Sequence, residues 1–287
     1  MNRGISSATK MNSDKSLKGS RKISLIGKEP IERIFLIDNH NLAFSVWQKE
    51  KVRNKVLIHI DAHLDFGWIP DKKLYKILLS KSLGEESLPS GRKPLWLQDE
   101  TGIMKAVNTG NYLYAALKDG MIKELYWVVP DEIWDRPEER SIIKKIFEQI
   151  LEKDRQEKAA RILSRENRMA TTICGRKFTA CKLANLPIIN QGVLLDIDLD
   201  FFIVNSRLEE RDGITTVNKK PWIRPSELIT FLKNKRIKTD CVTISYSVSE
   251  GFTPLEYKYL GGQVADLLRN PEGITEDKTT KSLGLVV

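Results

Sequence analysis

Val56-Leu57-Ile58-His59-Ile60-Asp61-Ala62-His63-Leu64-Asp65-Phe66-Gly67 is an apolar, β-branched run of strand length that leads straight into Asp-x-His-x-Asp and a glycine. A half-exposed strand alternates apolar and polar residues. Val56–Ile60 does not, which predicts a buried and parallel strand. While the chain stays extended, Asp61, His63 and Asp65 at i, i+2 and i+4 project to one side. Buried carboxylates are costly unless paired or bound to a cation. Two carboxylates and an imidazole at a strand end therefore ask for a positive charge, and oxygen-rich ligation with imidazole suits Mn²⁺ better than a thiolate metal. The plainer alternative is a strand followed by a polar surface turn.

Gly192-Val193-Leu194-Leu195-Asp196-Ile197-Asp198-Leu199-Asp200-Phe201-Phe202 uses the same device. Acids again stand at i, i+2 and i+4 of an apolar strand, on one face. Carboxylates side by side raise each other's pKa unless a cation sits among them. Leu, Ile and Phe at the alternate positions argue against an exposed acidic face.

Working outward, Arg33–Ile37 reads as a first strand ending at Asp38-Asn39-His40-Asn41, and Leu42–Lys49 has helical spacing, with Asn39 or Asn41 as its cap. His40 then stands at a strand-to-helix turn, the edge where α/β sheets place ligands. Lys72–Leu79 reads as a short helix and Ser80–Lys93 as a loop. Tyr112–Leu117 follows Thr109-Gly110-Asn111 as a helix, and Glu124–Val129 reads as a strand closed by Pro130. Apolar residues from Ile142 to Leu151 predict one amphipathic helix from Pro137 to about Arg168. Cys174–Leu183 carries no clear signal, and Arg207–Pro225 reads as loop. Ser226–Lys233 reads as a helix and Asp240–Tyr246 as a last strand. Thr253 and Pro254 are expected to open a helix that runs to about Arg269. Glu250 stands at the exit of that last strand. If the strands are neighbours in a parallel sheet, His40, Asp61/His63/Asp65, Asp198/Asp200 and Glu250 meet at its carboxyl edge. Glu250 aside, these are six ligands with only two imidazoles, which suggests two metals.

At 287 residues and 41% hydrophobic, the chain has ample material for a large α/β domain. No apolar run approaches the roughly 20 residues that span a bilayer, and the N-terminus lacks the apolar core of a secretory signal. Cys174, Cys181 and Cys241 show no CxxC spacing and fit a reducing cytoplasm. The formal charge of +9 raises nucleic acid as a partner, but about half of the excess falls on Arg3, Lys10, Lys15, Lys18, Arg21 and Lys22, set against Asp14. The expectation is a disordered basic tail over 1–22, a single catalytic domain over 23–271 and a C-terminal tail over 272–287. A nucleic-acid or membrane partner is not expected.

In chain order, Asn39-His40, Asp61-Ala62-His63-Leu64-Asp65, Asp198-Leu199-Asp200 and Glu250-Gly251 resemble the pattern of the ureohydrolases of the arginase/deacetylase fold. That pattern has a His opening a helix, Asp-Ala-His-x-Asp, an Asp-x-Asp strand end, and Glu-Gly after the last core strand. The resemblance covers roughly residues 30–270. Ile37–His40, Ile60–Asp65 and Leu195–Phe202 look most like the divergent branch containing the peptide arginases of ribosomal peptide natural-product (RiPP) maturation. It implies a three-layer α/β fold with a mainly parallel sheet flanked by helices. It also implies two Mn²⁺ ions, with Asp61 and Asp198 bridging, His40 and Asp65 completing one site, and His63 and Asp200 the other. Glu250 and Asn111 would bind the substrate, and Asp65 and Glu250 would serve catalysis. The implied reaction is attack of a dimanganese-bound hydroxide on a peptidyl-arginine guanidinium, giving ornithine and urea from a precursor peptide with a leader segment.

Two departures are visible. Free-arginine enzymes carry a His soon after Gly-Asn, whereas Gly110-Asn111 is followed by Tyr112 and Leu113. Protonation of the leaving amine then falls to Asp65, a tyrosine or water, and a larger substrate than free arginine is favoured. His59, within the strand, reads as a satisfied core residue. Asp196/Asp198 also offers a second metal register beside Asp198/Asp200. The rival functions are a zinc amidohydrolase or deacetylase of the same fold, and a non-catalytic peptide- or nucleic-acid-binding module.

Overall fold

The computed structural model describes residues 22–69, 107–153, 161–204, 220–249 and 251–270, and it places the central strand in a nine-stranded sheet. In chain order the elements are β1 (Ser24–Leu25), β2 (Ile34–Ile37), α1 (Leu42–Lys49), β3 (Lys55–Ile60), α2 (Tyr112–Lys118), β4 (Ile122–Val129), α3 (Asp131–Trp134), α4 (Pro137–Lys153), β5 (Leu163–Arg165), β6 (Arg168–Ile173), β7 (Arg176–Lys182), β8 (Gly192–Asp198), α5 (Pro225–Asn234), β9 (Lys238–Ser245) and α6 (Tyr259–Arg269). Strands β2, β9, β8, β3, β4 and β7 lie side by side in that order, every neighbouring pair parallel. Strand β1 adds antiparallel to the start of β9, and β6 and β5 extend the sheet antiparallel beyond β7.

Period-two alternation divides the strand side chains between two cores. Leu57, Leu125, Trp127, Val129 and Leu194 pack with α1, α2 and α4 through Phe44, Trp47, Leu113 and Phe147. Val56, Ile58, Ile60, Val128, Leu195 and Ile197 pack on the other face with α5 and α6 through Leu228, Leu232, Val264 and Leu268. Helices cover both faces, so the architecture is three-layered α/β, as the uninterrupted apolar runs of β3 and β8 require.

Several expectations change. Helix α4 is described as far as Lys153, and Leu163–Arg165 and Arg168–Ile173 form strands instead of the last turns of a longer helix. The hairpin joining β6 to β7 turns at Cys174 and Gly175, whose φ of 50° and 69° are both left-handed, as a tight two-residue turn demands. Cys174–Leu183, without signal in the sequence, thus contains β7. Thr253-Pro254 does not open α6. A single 3₁₀ turn, Leu255–Tyr257, follows Pro254 and the α-helix begins at Tyr259. Asn41 occupies the N-cap position of α1 without capping it, and its amide instead donates to the Val107 carbonyl. The expected helix at Lys72–Leu79, the loop at Ser80–Lys93, most of the Arg207–Pro225 loop, the C-terminal tail and all of the N-terminal tail but Lys22 lie outside the described residues.

Candidate metal centre

Parallel pairing brings the exits of β2, β9, β8 and β3 to one edge of the sheet. His40 follows β2 just before α1, Asp61 directly follows β3, and Asp198 ends β8. The expectation that both acidic triplets stay extended does not hold. Strand β3 ends at Ile60, and the Asp61 carboxylate accepts the His63 backbone N–H at 2.6 Å, which bends the chain. Asp65 then takes a left-handed φ of 52°. After β8 a 3₁₀ turn, Leu199–Phe201, carries Asp200, whose N–H donates to Asp198 Oδ1 at 3.2 Å. These turns fold the carboxylates back over the sheet edge.

His40 is fully buried, and its Nδ1 lies 3.1 Å from Asp61 Oδ2, 3.2 Å from Asp65 Oδ2 and 3.0 Å from Asp198 Oδ2. Neither His40 Nδ1 nor Asp61 Oδ2 has a hydrogen-bond partner, although both atoms are shut away from solvent. On the other side of Asp61, His63 Nδ1 is 2.7 Å from Asp200 Oδ2 and 3.8 Å from Asp61 Oδ1. Two donor groups suited to a metal therefore share Asp61: His40/Asp61/Asp65 and Asp61/His63/Asp200. Orphaned buried polar atoms are rare in folded proteins, and here they face one another across a space ringed by carboxylates. A metal cation would satisfy them, and the donor set fits one.

Behind the cluster lies a row of polar residues in sheet register. His59 on β3 pairs with Asp196 on β8, and Asp196 with Thr243 on β9, all fully buried on the α1/α2 face. Asp196 Oδ2 faces His40 Nε2 at 3.0 Å, His59 Nδ1 at 3.1 Å and the Tyr112 hydroxyl, which donates to it, at 2.7 Å. Its other oxygen accepts from the Thr243 hydroxyl. Four protein donors thus surround Asp196 at the back of His40, and His40, His59 and Asp196 form a third donor group of metal-binding composition. The His40 Nε2–H donates to Asp196, which leaves Nδ1 aimed at Asp61, Asp65 and Asp198. His59 is a satisfied core residue, its other nitrogen 3.1 Å from the His63 carbonyl.

The electrostatics show what the cluster lacks. Burial, then Asp200 and Asp65, raise the Asp61 pKa well above the ordinary carboxylate range. Burial and Asp200 push Asp198 up to about 6. Asp200 is held low: burial opposes this, but His63 and the Ala62 N–H outweigh it. Burial alone would lower His40, yet Asp196 and Asp198 lift it well above its usual value. His63 rises to about 10, burial being overcome chiefly by Asp200. Without a metal, protons on these imidazoles and carboxyls carry the positive charge that the cluster needs.

Of the residues singled out in the sequence, His40, Asp61, His63, Asp65, Asp198 and Asp200 come together here. Asn111 is buried, and its Oδ1 accepts the Asn108 N–H at 2.8 Å. Glu250 lies outside the described residues. Its neighbours border the cluster, with Ser247 donating to Asp198 Oδ2, Ser249 to Asn39 Oδ1, and Phe252 packing on the His63 ring at 5.1 Å. No pattern in the sequence marks Tyr112 or Thr243 as part of the site. Tyr112 was visible only as the residue standing near the position of an absent His, and Thr243 follows from its register opposite Asp196.

Fold and site together define an α/β protein with a buried His/Asp cluster compatible with a metal site. No family model matches the chain, and no curated protein matches its sequence. Among solved structures it is similar to an arginase from Medicago truncatula, at 14% identity and a TM-score of 0.34, over 81% of this chain. The chain spans 58% of that arginase's length. Among the described residues no helix is long and apolar enough to cross a membrane.

Proposed function

We propose that the chain is a metal-dependent hydrolase of the ureohydrolase kind, acting on arginine residues within a precursor peptide to leave ornithine and urea. The observation that carries the metal is the orphaned pair His40 Nδ1 and Asp61 Oδ2, set among Asp65 and Asp198. In this reading His40, Asp61, Asp65 and Asp198 hold one divalent ion, and Asp61, His63, Asp198 and Asp200 hold a second. Donors that are all imidazole and carboxylate, with no thiolate, favour Mn²⁺. Two such ions supply a water whose pKa is lowered toward neutrality.

The chain's own residues do the rest. Asp196, Tyr112 and Thr243 fix the His40 ring so that Nδ1 faces the carboxylates. The His63 side chain is 42% exposed against 8% or less for the four acids around it, so substrate approaches over His63. Asp65, the most exposed of those acids, is assigned the proton transfer to the departing ornithine amine. Glu250, flanked by segments that touch Asn39 and His63, is assigned to the guanidinium, where a bidentate charge-assisted contact selects arginine. The missing His after Asn111 favours a peptide over free arginine, and the three free cysteines suit a cytoplasmic setting.

Co-expression with a precursor peptide and intact-mass analysis tests the proposal. The peptide loses about 42 Da, CH₂N₂, for each converted arginine. Conversion that persists in both Asp61→Asn and Asp200→Asn overturns it.

A further inference from the structure

Beside the cluster, between the loop after β3 and the inner face of α4, lies a cavity of about 290 Å³. His63, Asp65 and Trp68 line one wall, and Glu139, Ile142, Ile143 and Ile146 the other. Glu139 is the unexpected member. It is only 7% exposed, and among the described residues no Lys, Arg or His lies within ion-pair distance of it. Lys153 also lines the cavity, but fourteen residues further along α4 it stands about 21 Å away along the helix axis.

An enclosed carboxylate without a counter-charge is costly. Its place in the first turn of α4 offsets part of that cost through the helix dipole. Among the described residues no cation offsets the remainder, and one carried by a ligand would do so. The walls say which kind. Ile142, Ile143 and Ile146 share the wall with that carboxylate, so a fitting occupant combines an apolar stem with a positive tip, which is the build of a lysine or arginine side chain. The volume sits at the small end for ligand sites and suits one such side chain rather than a folded partner.

We propose that Glu139 anchors a basic side chain of the substrate peptide, adjacent in the peptide to the arginine being converted, and so sets sequence preference. This rests on the peptide-arginase reading for what happens at the metal centre, but the binding itself needs no metal.

Trp68 and Trp127 line the cavity and report its occupation by fluorescence. Capped arginine-containing hexapeptides are titrated into the metal-free chain, with lysine on either side of the arginine, against counterparts carrying norleucine there. Norleucine keeps the stem and drops the charge. At least one lysine peptide is expected to bind about tenfold tighter than its norleucine partner, the worth of one charge-assisted hydrogen bond. Glu139→Gln, close in size to the native residue, is expected to erase that ratio. Equal binding of lysine and norleucine peptides by the wild-type chain, or a ratio that survives in Glu139→Gln, overturns the proposal. Lysine preference without any arginine conversion in the presence of Mn²⁺ upholds this anchor and removes the peptide-arginase reading instead.

Discussion

His40 Nδ1 and Asp61 Oδ2 stand 3.1 Å apart, fully enclosed, and neither makes a hydrogen bond. A base and a carboxylate held so close without a shared, well-aligned proton are arranged for a third party. This relationship separates the cluster from an ordinary part-buried ion pair such as Arg33–Asp240, where the guanidinium donates to a carboxylate at 2.8 Å. Its consequences can be measured.

Asp61→Asn tests the cation directly. The Asp61 pKa is raised by burial, then by Asp200 and Asp65, so the ionised carboxylate weakens the metal-free fold at neutral pH. The amide removes that burden and its oxygen can still accept the His63 N–H. The metal-free variant is therefore expected to melt at or above the wild-type temperature. Mn²⁺ at a hundredfold excess over its Kd should stabilise the wild type by about 2.7 kcal/mol and the variant hardly at all. Melting curves with and without the ion decide it.

The metal-free protein should also respond to pH in a direction set by its histidines. The His63 pKa, which burial would lower, is lifted to about 10 by Asp200, Asp61 and Asp65. An imidazole raised in the folded state contributes stability that is fully present below the unfolded value near 6.5 and is lost as pH climbs through the folded one. Asp198, raised to about 6, acts in a lower window: its contribution is lost as pH rises from about 4 to 6. In chelator, the melting temperature is expected to fall steadily from pH 6.5 to 10. Saturating Mn²⁺, which replaces the imidazole protons, flattens that fall. A chelated protein whose melting temperature is level across this range contradicts the assignment.

Tyr112 reaches the centre only through Asp196 and the back of His40. Tyr112→Phe keeps the ring that packs beside Trp47 and deletes the donor. Groups that orient a metal-bound His typically matter about 10- to 100-fold in affinity. Calorimetric titration of Mn²⁺ should show a loss of that size, alongside a stability cost of about 1 kcal/mol for the lost buried hydrogen bond. Unchanged affinity would make Tyr112 a packing residue alone.

What could be read in the sequence follows from the range over which each signal acts. The runs Val56–Ile60 and Val193–Ile197 declare buried parallel strands because every position is apolar or part of the polar row, and a strand covered on both faces leaves no alternative. The six clustered residues were legible because each sits at a strand exit. How Asp65 and Asp200 reach the cluster was not, since it depends on a left-handed φ and a 3₁₀ turn that no side-chain pattern encodes. The β5–β6–β7 extension was hidden by the charge density beyond Lys153, which continues the look of α4, and its one clear mark was the turn at Cys174-Gly175. Glu139 gave no signal because its meaning lies in packing: a first-turn acid on a helix is ordinary until it proves to be enclosed.

Helix ends offer a last test, on the element that carries Tyr112. At the end of α2, the Gly120 N–H donates to the Leu117 carbonyl and the Met121 N–H to the Ala116 carbonyl, with Gly120 at a φ of 77° and open space where a Cβ would lie. The end of α1 has the same pair of bonds, Lys51 to Gln48 and Val52 to Trp47, but the left-handed position holds Lys51 at a φ of 51°. Only glycine adopts this conformation without a Cβ penalty. Gly120→Ala is therefore expected to cost about 1 kcal/mol, with no steric clash to enlarge it, and Lys51→Gly to gain about 0.5–1 kcal/mol. Denaturant melts of the two variants should move in opposite directions with unchanged slopes. A shift of the same sign in both would mean that backbone strain does not govern how these two helices end.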